Sequence, residues 1–200
     1  MEIKNLTFAY PLSDQKIFDG LTLSVPIEPG EIVALKAPSG AGKTTLLRLL
    51  ARLETPLSGT IECPSCAFLF QEDRLIPRLN ARSQLRAVLP AATTDAAVAV
   101  AADIDSYLTL VDLQDDADTL VEELSGGMKR RLALARAIAF AKETGRDLLL
   151  LDEPFTGVDA ARITSILASL RRLNFRVFLT AHEESILALA DRIIALESKG

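Results

Sequence analysis

The 200-residue chain has no apolar run approaching the roughly 18 residues that a membrane-crossing helix needs; its Ala-rich stretch Ala96–Ala102 is far too short. No bilayer span is expected. The opening residues MEIKNLTFAYP lack the basic patch, apolar segment and small-residue cleavage site of a secretory signal, which predicts a chain that stays in the cytoplasm. Lys and Arg number 22 against 27 Asp and Glu, and no basic tract extends beyond short pairs such as Arg130-Arg131 and Arg171-Arg172. That balance argues against a surface that coats DNA or RNA, and no nucleic-acid partner is predicted. Histidine occurs once, at His182, and cysteine twice, in Cys63-Pro64-Ser65-Cys66. Zinc at that C-x-x-C spacing lacks two further ligands, so the pair is expected as free thiols on a turn entering the strand CAFLF. Internal repeats, Gly/Ser linkers and low-complexity tails are missing too.

What is present is a chain that can bury a core, with 49% apolar and 24% charged residues. Strand-like segments occur at Glu2 to Phe8, Leu21 to Val25, Glu31 to Lys36, Ala67 to Phe70, Leu148 to Leu151, Val177 to Thr180 and Arg192 to Leu196. LLLL and VFLT carry no polar alternation, the mark of parallel strands buried on both faces. Helical patterns separate them. TTLLRLLARLE places Leu46, Leu47, Leu49, Leu50 and Leu53 on one face, and MKRRLALARAIAFAKE does the same with Leu132, Leu134, Ala135, Ile138 and Ala139. Between about Ser83 and Thr119 no strand candidate occurs, which reads as a helical insertion. The expectation is one α/β domain over 1–200, with a core of about 1–71 and 136–200 and a helical subdomain of about 72–135.

EIVALKAPSGAGKTTLLRLL reads as a strand, a small-residue turn and an amphipathic helix, the architecture of a phosphate-binding loop. Backbone N–H groups from Ser39 through Gly40, Ala41, Gly42 and Lys43 to Thr44 can point into one concavity at a helix N-terminus, where the dipole favours anions. Thr45 follows in the same turn. Lys43 adds positive charge for the β- and γ-phosphates of a nucleotide, and the Thr44 hydroxyl is placed to ligate Mg²⁺. The first position of G-x-x-x-x-G-K-[ST] is Ala37 instead of glycine. If that backbone needs positive φ, alanine costs about 1 kcal/mol or more; if it only needs a small residue, alanine is harmless. Further on, LLLLDEP delivers Asp152 and Glu153 at the C-terminal end of a buried strand, where open α/β sheets bind ligands. Asp152 can hold Mg²⁺, and Glu153 can orient and polarise an attacking water. Leu124-Ser125-Gly126-Gly127-Met128-Lys129-Arg130 places a helix N-cap, Ser125, before a glycine pair, Gly126 and Gly127, with a helix expected from near Met128.

With these three motifs in order, the chain resembles the ATP-binding cassette family over nearly its whole length. The resemblance implies a P-loop core with a mostly parallel sheet, an N-terminal antiparallel β subdomain and an inserted α-helical subdomain. It implies ATP and Mg²⁺ as ligands, with hydrolysis between two copies, or a copy and a paralogue, arranged head-to-tail. In that scheme LSGG, carrying Ser125, Gly126 and Gly127, closes over the γ-phosphate held by the other subunit. Gln71 resembles the Q-loop glutamine that contacts Mg²⁺ and the attacking water, 28 residues past Lys43. Asp159 resembles the aspartate that crosses the dimer interface, although Gly157-Val158 replaces the commoner Ala-Leu before it. His182 resembles the histidine that hydrogen-bonds the γ-phosphate, and Tyr10 the aromatic that stacks on adenine. QEDRLIP and LSGGMKRR look most like bacterial importer cassettes of the nitrate, sulfonate and taurine type, though Arg78 stands where those often carry Trp. The implied setting is the inner face of the cell membrane, beside an integral membrane permease and, through it, a solute-binding protein. The alternatives are an exporter or cytochrome-c-biogenesis cassette, which would share these motifs, and a non-transport ATPase of the family.

Overall fold

The computed structural model describes residues 1–11, 13, 15–89 and 104–196; the Ala-rich run Ala96–Ala102 and part of the expected helical insertion around it lie outside them. Two sheets organise these residues. The first is antiparallel, with β2 (Phe18–Ser24) and β4 (Ser58–Glu62) flanking β1 (Glu2–Phe8). The second is a five-stranded parallel sheet containing β3 (Ile32–Lys36), β5 (Cys66–Leu69), β6 (Leu148–Asp152), β7 (Arg176–Thr180) and β8 (Arg192–Ala195), in the order β5-β6-β7-β3-β8. The expected combination of an antiparallel β subdomain and a parallel core is what the chain builds.

The central strands are apolar throughout because both faces are covered. On one side Ile32, Ala34, Leu149, Leu151, Val177 and Leu179 pack with α4 (Gly126–Glu143), α5 (Ala160–Arg172) and part of α2 (Ala81–Arg86). On the other, Val33, Leu35, Leu148, Leu150 and Phe178 meet α1 (Lys43–Leu50) and the inner face of β1. The alternation is that of a pleated strand, one residue up and the next down. Truncating any of the four buried leucines of β6 to alanine costs about 2–5 kcal/mol. The face predicted for α4 is buried as expected, and α3, described over residues 104–110, contributes Ile104, Tyr107 and Leu108 to the same core.

Three details differ from the sequence expectation. β4, SGTIE, was not anticipated, since it is glycine-containing and mostly exposed; Gly59 is required there because a Cβ would come within 2.6 Å of two backbone carbonyls of β1, those of Lys4 and Asn5. β2 starts at Phe18, ahead of Leu21. α1 ends at Leu50, with Arg52 in a left-handed conformation, so Leu53 leaves the helix face and is half exposed. Cys63 and Cys66 flank the turn from β4 into β5 as free thiols. Among the described residues, no helix is long and apolar enough to cross a membrane.

Candidate functional site

The C-terminal ends of β3, β6 and β7 lie side by side, because Thr180 is in register with both Leu35 and Asp152. The turns leaving these strands and β5 therefore meet above one edge of the sheet. From β3 the chain runs through Ala37 to Gly42 into α1. Gly40 and Gly42 have φ of 79° and 89°, and a Cβ on Gly42 would lie 2.7 Å from Ile17 and 2.8 Å from the Phe18 ring. Glycine is required at Gly42 by conformation and by space. Ala37 is not among the residues with positive φ, so the alanine there is unstrained. Lys43 opens α1, buried, with Nζ donating to the carbonyls of Ala37 at 2.9 Å and Pro38 at 3.3 Å. Burial lowers its pKa below the ordinary lysine value, and the nearby carboxylates of Glu153 and Asp152 oppose that shift.

A cleft of about 340 Å³ is lined by Ser39, Gly40, Gly42, Lys43, Thr44 and Thr45 together with Gln71, Glu153, His182 and Ile17. Residues from five separate segments thus line one cleft; Ala41 is in the loop but does not line it. His182 Nε2 lies 3.0 Å from Glu153 Oε1. Asp152 lies buried at the end of β6, with Oδ1 accepting from Thr180 Oγ1 at 2.8 Å and Oδ2 buried without a hydrogen-bond partner. A buried carboxylate with one oxygen unpartnered, at the end of a strand near Lys43, fits a hard cation such as Mg²⁺, to which Thr44 and Gln71 could add further oxygens. Glu153 has φ of 48°, in the left-handed region, and its N–H donates to Thr180 Oγ1 at 3.0 Å.

Other predicted residues lie elsewhere. Tyr10 is outside the cleft; its ring meets Phe8 edge-on at 5.0 Å, its hydroxyl pairs with Thr45 Oγ1 at 3.2 Å, and it lines a neighbouring cavity of about 440 Å³ with Pro11, Leu53 and Glu54. Ser125 caps α4, its Oγ accepting from the Met128 N–H at 3.3 Å. The helix begins at Gly126 rather than near Met128, so both glycines form its first turn. A Cβ on Gly127 would lie 2.4 Å from the Gly157 carbonyl, and Gly157 has φ of 73°, so the Gly157-Val158 departure is conformationally significant. Asp159 caps α5 and pairs with Arg162 at 2.7 Å, which holds its carboxyl below the ordinary range. Ser125, Gly126, Gly127 and Asp159 do not line the cleft of their own chain. Two contributors escaped the sequence reading. Thr180 is detectable as a lone polar residue ending an apolar strand; Arg130, whose guanidinium donates to the carbonyls of Gln71 and Glu153, carries no such signal.

A glycine loop between a buried strand and a helix, with a buried aspartate ending a strand two places along the same sheet, defines a P-loop nucleoside-triphosphatase. The chain belongs to the ABC transporter family, whose profile matches residues 21–156, and is an ATP-binding cassette and ATPase of that family. It is 43% identical over 182 residues to the aliphatic sulfonates import ATP-binding protein SsuB of Granulibacter bethesdensis, covering 88% of this chain and 72% of that protein. To the sulfate/thiosulfate import ATP-binding protein CysA of Pseudomonas aeruginosa it is 35% identical over 217 residues, covering 98% of this chain but only 63% of that one. The fold matches a dimeric structure of the ATP-binding cassette MJ0796 bound to ADP and Pi, with a TM-score of 0.83, 24% identity, and 100% and 96% of the two chains covered.

Proposed function

We propose that this ATPase turns over MgATP in the cleft between Lys43 and Glu153, as one half of a pair that drives a separate import permease. The observation that carries this reading is the convergence of Lys43, Gln71, Glu153 and His182 on one cavity, with the unpartnered Asp152 Oδ2 close by. Lys43 and the N–H groups of Ser39 through Thr45 bind the β- and γ-phosphates. Thr44, Asp152 and Gln71 would hold Mg²⁺, which when bound neutralises charge on the phosphate oxygens. Glu153 orients the attacking water and accepts its proton, while His182, in contact with that carboxylate, keeps it directed into the cleft and meets the γ-phosphate. Tyr10 stacks on the base from the adjoining cavity, reached past Thr45.

Ser125, Gly126, Gly127 and Asp159 have no place in their own cleft, which supports a head-to-tail partner, a second copy or a paralogue, whose phosphates they meet. Residues 72–135 act as the helical subdomain, and the segment after Gln71 receives the permease at the inner face of the membrane. The sulfonate and sulfate/thiosulfate importers among its relatives support a small sulfur oxyanion as the solute, delivered to the permease by a binding protein. Light scattering on Glu153→Gln tests the pairing: ATP should convert monomer to dimer, and a variant that binds ATP yet stays monomeric would overturn it.

A further inference from the structure

Arg130, in the first turns of α4, is 3% exposed, and its guanidinium donates to two loops far apart in sequence. One guanidinium nitrogen donates to Phe70 O at 2.8 Å, Gln71 O at 3.2 Å and Asp73 Oδ1 at 3.1 Å. The other donates to Glu153 O at 2.9 Å and to Asp152 O, and Nε adds a second bond to Glu153 O at 3.1 Å. Every nitrogen of the fork is used, and apart from Asp73 Oδ1 the acceptors are backbone carbonyls, those of Phe70, Gln71, Asp152 and Glu153. Glu153 is in the left-handed conformation at φ of 48°, one that a non-glycine residue keeps only where its surroundings hold it. Two of the Arg130 bonds converge on the carbonyl of that residue.

We infer that Arg130 is a positioning residue for hydrolysis, a clamp from the signature helix that fixes the backbones of Gln71 and Glu153 in one frame. The inference rests on the proposed role of Glu153. Lysine carries the same charge but presents only three donors at one point, and cannot span both loops. The neighbouring Arg131 is a matched comparison: it is also buried in α4, but donates to the carbonyls of Val111 and Asp112, away from the cleft.

The test measures steady-state ATPase, ATP affinity and Tm for Arg130→Lys, Arg130→Gln, Arg131→Lys and Glu153→Gln in the full chain. A clamp predicts that Arg130→Lys loses roughly ten- to a hundredfold in kcat, with KM for ATP unchanged and a Tm drop no larger than that of Arg131→Lys, whose kcat stays near wild type. Arg130→Gln, shorter and uncharged, should fall at least as far, and it provides the reading if the lysine variant does not fold. An Arg130→Lys kcat within about twofold of wild type overturns the inference, as does a loss of kcat matched by equal losses of ATP affinity and Tm. If Glu153→Gln turns over at the wild-type rate, the assignment of the cleft fails instead, whatever Arg130 does.

Discussion

His182 Nε2 sits 3.0 Å from Glu153 Oε1, linking the ends of β7 and β6 across the mouth of the cleft. The imidazole thereby limits the directions the Glu153 carboxylate can take. His182→Ala should lower kcat by on the order of 10²-fold while changing ATP affinity little, because Lys43 and the loop amides remain. Stopped-flow phosphate release and an ATP-binding titration separate the two effects.

Lys43 is buried, and its ammonium donates to two carbonyls. Its folded pKa lies below the ordinary 10.5, so between the lowered value and 10.5 the unfolded chain binds the proton more tightly. Stability gains a contribution that rises with pH through that interval, and Lys43→Met should remove it. The same variant should lose the rise in Tm that MgATP gives wild type. Thermal melts with and without nucleotide across that range check both outcomes.

Ala37 and Gly42 should respond oppositely to exchange. Ala37→Gly gains nothing from glycine's freedom and should cost about 0.5–1 kcal/mol through unfolded-chain entropy, with ATP turnover kept. Gly42→Ala meets Ile17 and Phe18 at a φ of 89°, so it should weaken ATP binding and lower Tm together. Urea titrations and nucleotide binding on the two variants decide this.

The phosphate loop and LLLLDEP were legible because each packs its chemistry into a few consecutive residues beside a strongly apolar strand. The parallel core was legible for the same reason: LLLL and VFLT fit no half-exposed strand. β4 was hidden because SGTIE carries a glycine and is mostly exposed at a sheet edge. Arg130 was hidden because most of its partners are backbone carbonyls about 20 and 60 residues away in the chain, which leave no side-chain pattern to read. The left-handed backbone of Glu153 is likewise set by tertiary bonds rather than by its residue type.

The two thiols should differ in reactivity. Cys63 is buried, and its hydrogen bond with Cys66 and its desolvation raise its pKa far above the usual thiol range. Cys66 is held below that range first by the bond from Cys63, with Arg146 and Arg52 adding to it against the effect of burial. At neutral pH a thiol reagent should titrate Cys66 promptly and Cys63 only after unfolding, which mass spectrometry of the labelled peptides would show.

Phosphate release from MgATP by the wild-type chain and by Glu153→Gln, with ATP affinity measured on both, tests the central claim most directly. The account predicts turnover by wild type, a loss of at least about 10²-fold in the variant, and ATP affinity held within about threefold. Equal turnover by the two proteins would contradict the assignment of the cleft.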